Sequence, residues 1–327
     1  MIEYLMNYSY FALQTLTIVL LLFLPIILLI RGKSGDKTEG NRITIEHINA
    51  NFEDSQLAFE TVLSDKKELT KQRKKLKNSR KIKSKSTQPN RVFICEFEGD
   101  IKASQVEQLR REITAILLVA SIDDEVIVIL NSAGGTIHGY GLAASQLSRI
   151  RDKGIALTVC VDSIAASGGY MMACVADKLS AAPFAIVGSI GVIAQIPNFN
   201  KVLKEKNIEY EQITAGEHKR TLTMFGENTL EGRTKFQSEI DEAHELFKEF
   251  VMKFRPNLDV DKIATGEHWF ATKARELGLV DDIATSDEVI MQRVLSHNVY
   301  KIKAGRKKSA FERLIKPSVR SILNLFR

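Results

Sequence analysis

The chain has 327 residues, and its apolar fraction of 44% fits a globular protein with a sizeable core and excludes a disordered or fibrous one. Its formal net charge of +6 is concentrated in one segment, so the overall charge does not identify a partner. Three cysteines, Cys95, Cys160 and Cys174, lie in apolar surroundings without metal-ligand spacing, and we expect them to be reduced core residues.

Residues 10–30, which follow a short N-terminal segment of residues 1–9, are almost wholly apolar. At a rise of about 1.5 Å per residue, a helix of this length crosses a hydrocarbon core of about 30 Å. We expect an uncleaved single-pass transmembrane anchor in contact with membrane lipid. A cleaved signal peptide is the alternative, but residues 1–9 lack Lys and Arg and no small-residue cleavage site follows. Basic residues just after the span favour a cytoplasmic location for the rest of the chain.

Residues 31–90 are polar, and eleven lysines and arginines crowd positions 66–85. Such a segment cannot build its own core, so we predict a solvated basic linker. Contact with anionic lipid headgroups is the second interpretation. Nucleic acid is not expected as a partner, because aromatic residues do not interleave with the basic ones.

Residues 91–297 alternate between strand and helix patterns, which predicts an α/β domain with parallel pairing and right-handed crossovers. A final strand is expected near residues 278–280, and residues 298–327 are interpreted as a basic amphipathic C-terminal tail. The main strands are predicted at 92–97, 125–130, 155–161 and 178–181, and the main helices at 104–119, 139–153 and 231–254.

Ser167 follows an apolar strand pattern and precedes Gly168, Gly169 and a helical run. In parallel sheets, sites form beyond the carboxyl ends of strands, and a serine at such a turn can project its hydroxyl as a nucleophile. A helix N-cap serine followed by close-packing glycines is the structural alternative.

A serine nucleophile needs a base to take its proton. His138 or His218 could serve, with Asp162 or Asp177 as the orienting carboxylate. Lys219 is the other candidate, since a lysine acts as a base only where burial disfavours its charge.

The backbone amides of Gly134, Gly135 and Gly168 are candidate donors to an oxyanion, because glycine lets a substrate approach the backbone closely. A tight turn is the structural alternative for the glycine pair at residues 134 and 135. The residues alone leave both interpretations open.

Four motifs together resemble the bacterial signal-peptide-peptidase (SppA/SohB) family of serine peptidases, over about residues 91–290. They are Asn-Ser-Ala-Gly-Gly at 131–135, Ala-Ala-Ser-Gly-Gly-Tyr at 165–170, Gly-Ser-Ile-Gly-Val at 188–192 and Ala-Gly-Glu-His-Lys-Arg at 215–220. The resemblance implies a ClpP/crotonase-like fold with repeated ββα units. One departure is Ala133, where relatives commonly have proline; it should loosen the loop without removing a donor.

By the same resemblance, the catalytic machinery is a Ser-Lys dyad with Ser167 as nucleophile and Lys219 as general base. Ser189 then positions the lysine, and Gly135 and Gly168 supply the oxyanion hole. Neither His138 nor His218 is needed as a base, nor is a metal or nucleotide cofactor.

The resemblance further implies a homo-oligomeric ring in which neighbouring protomers help to complete each site. The expected function is a membrane-anchored serine endopeptidase of the bacterial inner membrane that cuts apolar or unfolded peptides, such as remnant signal peptides or misfolded envelope proteins. Family association favours the periplasmic side, against the charge rule. The alternatives are a crotonase-like acyl-CoA enzyme and a non-catalytic membrane scaffold with a peptidase fold.

Overall fold

The computed structural model describes residues 2–32, 42–63 and 90–305. Over these residues the strands are β1 (Ile43–His47), β2 (Arg91–Gly99), β3 (Glu125–Ser132), β4 (Ala156–Val161), β5 (Ile164–Ala166), β6 (Lys178–Ala181), β7 (Ile186–Gly188), β8 (His268–Phe270), β9 (Asp282–Ile283) and β10 (Asn298–Ala304). The helices are α1 (Ile2–Gly32), α2 (Ile48–Leu63), α3 (Val106–Leu117), α4 (Ile137–Asp152), α5 (Gly168–Ala173), α6 (Asn200–Glu205), α7 (Leu230–Phe254), α8 (Val260–Ile263), α9 (Ala271–Glu276) and α10 (Ser286–Ser296).

The described strands form one sheet in the order β1-β10-β2-β3-β4-β6-β9, with β5, β7 and β8 branching from β3. The pairs from β10 through β2, β3, β4 and β6 to β9 are parallel. The α/β class predicted from the alternating pattern is therefore confirmed, and the strand ends that carry the serine and glycine motifs lie at one edge of the sheet.

Both faces of the sheet are covered, which explains the nearly continuous apolar strands. Along β2, Phe93, Cys95 and Phe97 belong to the larger core, which includes the buried residues of α3 and α4. Val92 and Ile94 point to the opposite face, where they join residues of α10. The three cysteines are buried and unpaired, as predicted.

Two strands, β1 and β10, lie outside residues 91–297 in the sequence and next to each other at one side of the sheet. Residues 43–63, interpreted as linker, form β1 and α2, and β10 occupies the start of the predicted tail. Asn49 joins these two regions: its side-chain amide donates to the carbonyls of Val294 (3.0 Å) and His297 (2.9 Å), and its oxygen accepts from the Val299 amide (2.8 Å). The folded body accordingly runs from residue 43 to residue 303.

Residues 10–30, the predicted transmembrane anchor, lie within the longer helix α1, which belongs to a unit separate from residues 43–303. No helix is both long and apolar enough to cross a membrane within the part of the chain that the structure describes. The predicted span extends beyond residue 23 into side chains outside that part, as do residues 33–41 and 64–89 of the predicted linker and residues 306–327 of the tail.

Asp124, buried just before β3, is expected to make the fold sensitive to acid. Burial alone would raise the pKa of this carboxyl, but hydrogen bonds from Arg91 and Ser121 outweigh that effect and lower the pKa to about 2, from an ordinary value of 3.8. Because the folded pKa is the lower one, the stabilisation is present above about pH 4 and is lost as the pH falls toward 2.

Replacing Asp124 by asparagine should therefore lower the free energy of unfolding by about 2 kcal/mol at pH 7, with the difference shrinking between pH 4 and pH 2. Urea unfolding at several pH values measures this, and the exposed neighbour Asp123→Asn is the matched control. An equal, pH-independent loss in both variants would contradict the assignment.

Candidate active site

Ser167 occupies a sharp turn between β5 and α5. Its backbone has φ 52° and ψ −118°, a conformation that L-residues rarely adopt and that marks a strained strand-to-helix turn. The turn is held on both sides, since the Ser167 amide donates to the Gly188 carbonyl (2.8 Å) and the Met171 amide donates to the Ser167 carbonyl (2.9 Å). The serine is half-buried, and its side chain makes no capping hydrogen bond to α5.

The two glycines after Ser167 let α5 pack directly against neighbouring elements. A Cβ atom at Gly168 would collide with the ring of Tyr140, and one at Gly169 would collide with the carbonyl oxygen of Ser132. Close packing thus explains the glycine pair, and it fixes the turn at Ser167 against β3 and α4.

The loop that carries Gly134 and Gly135 lies against the turn at Ser167. A Cβ atom at Gly134, whose φ is 90°, would lie 2.7 Å from the Gly168 nitrogen and 2.8 Å from the Ser167 Cβ. A Cβ at Gly135 would collide with the carbonyl of Ile101. Glycine is therefore required at both positions by the space available, and the loop reaches the serine.

The amide groups of this region divide into those that have an acceptor and those that do not. Gly134 donates to the Ser132 hydroxyl (3.0 Å), and Ser167 donates to Gly188. The amides of Gly135 and Gly168, by contrast, have no hydrogen-bond acceptor among the described residues. Two free donors on adjoining loops, one at a helix N-terminus, favour a negatively charged group at this point.

Ser189 is brought close to this turn by strand pairing. Ala166 of β5 pairs with Gly188 of β7, so that Ser167 and Ser189 each follow one member of the same pair. Ser189 also has a positive φ, 53°, and its amide donates to the Glu267 carbonyl (2.6 Å). The side chain is half-buried and makes no hydrogen bond within the described residues.

Lys219, the expected base, is exposed on the loop that precedes α7, and its side chain makes no hydrogen bond to Ser167. Its flanking residues, His218 and Arg220, line a polar cavity of about 460 Å³ that Ser167 does not reach. Within the described residues of one chain, neither a hydrogen bond nor a shared cavity therefore joins Lys219 to Ser167.

The residues considered for a Ser-His-Asp triad are not arranged as one. His138 and His218 are both exposed. Asp162 accepts hydrogen bonds from the amide (2.7 Å) and hydroxyl (2.5 Å) of Ser286, and Asp177 accepts from the Leu157 amide (2.9 Å). Both carboxylates considered as orienting groups are thus engaged in holding the fold.

A pair of buried hydroxyls, on Ser132 and Tyr140, lies beneath the site and is not among the residues predicted from the sequence. Their oxygen atoms lie 2.5 Å apart, and the Tyr140 hydroxyl also donates to the Asp100 carbonyl (2.8 Å). Ser132 belongs to the motif at residues 131–135, but Tyr140 is one aromatic residue on a helix and carries no sequence signal of its own.

Comparisons with known proteins show the family to which the chain belongs. Two family models match the chain: "Peptidase family S49 N-terminal" over residues 3–147 and "Peptidase family S49" over residues 149–299. The probable protease SohB of Haemophilus influenzae is 46% identical over 99% of this chain and 95% of its own length.

A second relative, the probable protease SohB of Buchnera aphidicola subsp. Schlechtendalia chinensis, is 46% identical over 89% of this chain and all of its own length. Protease 4 of Haemophilus influenzae is 29% identical over 62% of this chain and 34% of its own length. These matches confirm the family resemblance and support a peptidase, and the chain belongs to peptidase family S49.

Proposed function

We propose that the chain is a serine endopeptidase with a Ser-Lys dyad, acting on apolar or unfolded peptides on a ClpP/crotonase-like fold. The observation that carries the proposal is the strained turn at Ser167, adjoined by two amides, on Gly135 and Gly168, that have no acceptor among the described residues. This combination provides a projecting hydroxyl and donors for the charge that develops when it reacts.

In the proposed reaction, neutral Lys219 takes the hydroxyl proton of Ser167 while the serine oxygen bonds to the peptide carbonyl carbon. The carbonyl oxygen becomes an oxyanion, to which Gly135 and Gly168 donate. Lys219 then gives the proton to the leaving amine, the peptide bond breaks and an acyl-enzyme remains. Water attacks the ester with Lys219 again as base, which releases the carboxylic acid and restores Ser167.

The exposure of Lys219 adds a requirement to this proposal. Only the neutral amine can accept a proton, and burial is what favours the neutral form of a lysine. We therefore include a homo-oligomeric ring in the proposal, in which a neighbouring protomer or the bound peptide covers the loop of Lys219. Ser189, next to the nucleophile turn, would orient the amine.

Covalent labelling tests the proposal directly. A fluorophosphonate should modify the purified full-length chain at one site, and peptide mapping should place the adduct on Ser167, because the reagent requires an activated serine. Turnover of acyl-CoA thioesters that persists after labelling would instead favour the crotonase-like alternative. Absence of both labelling and peptide cleavage would favour a scaffold.

Membrane attachment rests on the apolar composition of residues 10–30 and forms a separate part of the proposal. Carbonate extraction of membranes should retain the full chain and release a chain that begins at residue 43. Release of both would count against an anchor. A reporter fused at residue 327 then decides between the cytoplasmic side and the periplasmic side.

A further inference from the structure

Tyr140, on the first turn of α4, is fully buried beneath the candidate active site. Its hydroxyl contacts two loops at once: the Ser132 hydroxyl at the end of β3, 2.5 Å away, and the Asp100 carbonyl after β2, 2.8 Å away. Its ring packs against Gly168 in the nucleophile turn, where no Cβ would fit. One side chain thus touches three loops that meet at the site.

The direction of the hydrogen bonds follows from the number of protons. A phenol has one proton, and the Asp100 carbonyl can only accept, so Tyr140 donates to Asp100. Ser132 must then donate to the Tyr140 oxygen, which leaves the Ser132 oxygen free to accept from the Gly134 amide at 3.0 Å. These hydrogen bonds form a series in which each group donates to the next: the Gly134 amide to the Ser132 hydroxyl, that hydroxyl to the Tyr140 hydroxyl, and the Tyr140 hydroxyl to the Asp100 carbonyl.

This series of hydrogen bonds determines which amide of the glycine pair is free to donate to a substrate. Gly134 is committed to Ser132, and that bond holds the peptide plane between Ala133 and Gly134. The backbone of Gly134, with its φ of 90°, then sets the next peptide plane, which carries the Gly135 amide, and that amide has no acceptor among the described residues. Burial raises the pKa of Tyr140, so at neutral pH the phenol keeps the proton that it donates to Asp100.

We propose that Ser132 and Tyr140 are positioning residues that align the Gly135 amide with the nucleophile turn at Ser167. The proposal rests on the proposed peptidase function, because it assigns the pair a role in stabilising the oxyanion. Neither residue contacts the reacting atoms; both act through the backbone of the glycine loop.

The test compares Tyr140→Phe and Ser132→Ala with the unmodified full-length protein. Each variant removes one hydroxyl from the chain and should lower kcat for a peptide substrate about 10- to 100-fold, with KM changed less than about twofold, because a misplaced donor acts mainly on the transition state. Affinity for a peptide boronic acid, which forms a tetrahedral adduct on serine, should fall by a similar factor.

The double variant gives a second readout that a general loss of stability would not produce. Since both hydroxyls belong to one series of hydrogen bonds, the double variant Ser132→Ala/Tyr140→Phe should have a kcat little lower than that of either single variant. Tyr170→Phe is the matched control: Tyr170 is equally buried, and its hydroxyl donates to the Leu279 carbonyl (3.0 Å), away from the glycine loop. Its kcat should stay within about twofold.

The outcomes separate the two proposals. If the unmodified protein cleaves peptides and labels at Ser167 but both variants keep kcat and boronate affinity, the positioning role is wrong and the peptidase proposal stands. Losses that multiply in the double variant, or that Tyr170→Phe reproduces, would likewise overturn the positioning role. If the unmodified protein neither cleaves peptides nor labels, both proposals fail.

Discussion

Replacing Ser167 by alanine is expected to lower kcat for peptide hydrolysis by a factor of about 10⁴ to 10⁶. Alanine removes the oxygen that would form the acyl-enzyme, and no other described hydroxyl occupies the turn at residue 167. The backbone should be retained, because alanine and serine have nearly the same preference against φ 52° and the amide of residue 167 still donates to Gly188. Steady-state cleavage of an unstructured apolar peptide measures the effect.

Ser163→Ala provides a matched control for this variant. Ser163 is exposed a few residues earlier in the same connection, and its carbonyl, which the substitution keeps, accepts from the Ile186 amide (2.9 Å). Its kcat should stay within about twofold of the unmodified protein, and the thermal unfolding midpoints of both variants should remain close to the original. Residual cleavage above about 1% in a contaminant-free Ser167→Ala preparation would rule out Ser167 as the nucleophile.

Local pattern sufficed for the central sheet. The apolar runs of β2, β3 and β4 are buried on both faces, and such runs are recognisable because side-chain chemistry alone determines them. The turn at Ser167 was equally accessible, since a strand, a serine, two glycines and a helical run follow one another directly. The positive φ of Ser167 could not be predicted from the sequence, because serine does not ordinarily adopt that conformation.

The outer strands depended on partners far away in sequence. β1 joins the sheet by pairing with β10, and β10 pairs with β2. Asn49, which follows β1 in α2, supports this arrangement through hydrogen bonds to Val294 and Val299, about 250 positions away. The β-branched run at residues 43–45 is the one local signal of β1, and it is too short to separate the strand from the polar segment in which it lies. The short strands β5, β7 and β8, of three residues each, are likewise defined by pairing with one another rather than by their own composition.

The candidate site shows the same division. The sequence indicates two glycine pairs at strand ends, residues 134–135 and 168–169, where the backbone can be approached closely. The structure identifies the neighbouring atoms that leave no room for a side chain at these positions. The hydrogen-bond chain through Tyr140 could not be derived, because it depends on how α4 places one phenol over β3. The role of Lys219 still rests on the family resemblance.

Replacing Lys219 by arginine is the second large expected effect, and it separates a base from a fixed positive charge. Arginine retains the charge and the length of the side chain but does not give up its proton in proteins. If Lys219 accepts the proton of Ser167, kcat should fall by about 10² to 10⁴ in Lys219→Arg and in Lys219→Ala alike. The rate of fluorophosphonate labelling at Ser167 should fall in parallel.

Lys206→Arg is the matched control, since Lys206 is exposed at the end of α6 and should tolerate the same exchange without loss of kcat. A small primary amine added to Lys219→Ala should restore part of the activity, and more at higher pH, because only the neutral amine can act as base. If Lys219→Arg instead keeps kcat within about twofold, the residue supplies charge alone. A loss found only in His138→Ala would then return the base to a histidine, although this exposed side chain would first have to acquire an orienting carboxylate other than Asp162 or Asp177.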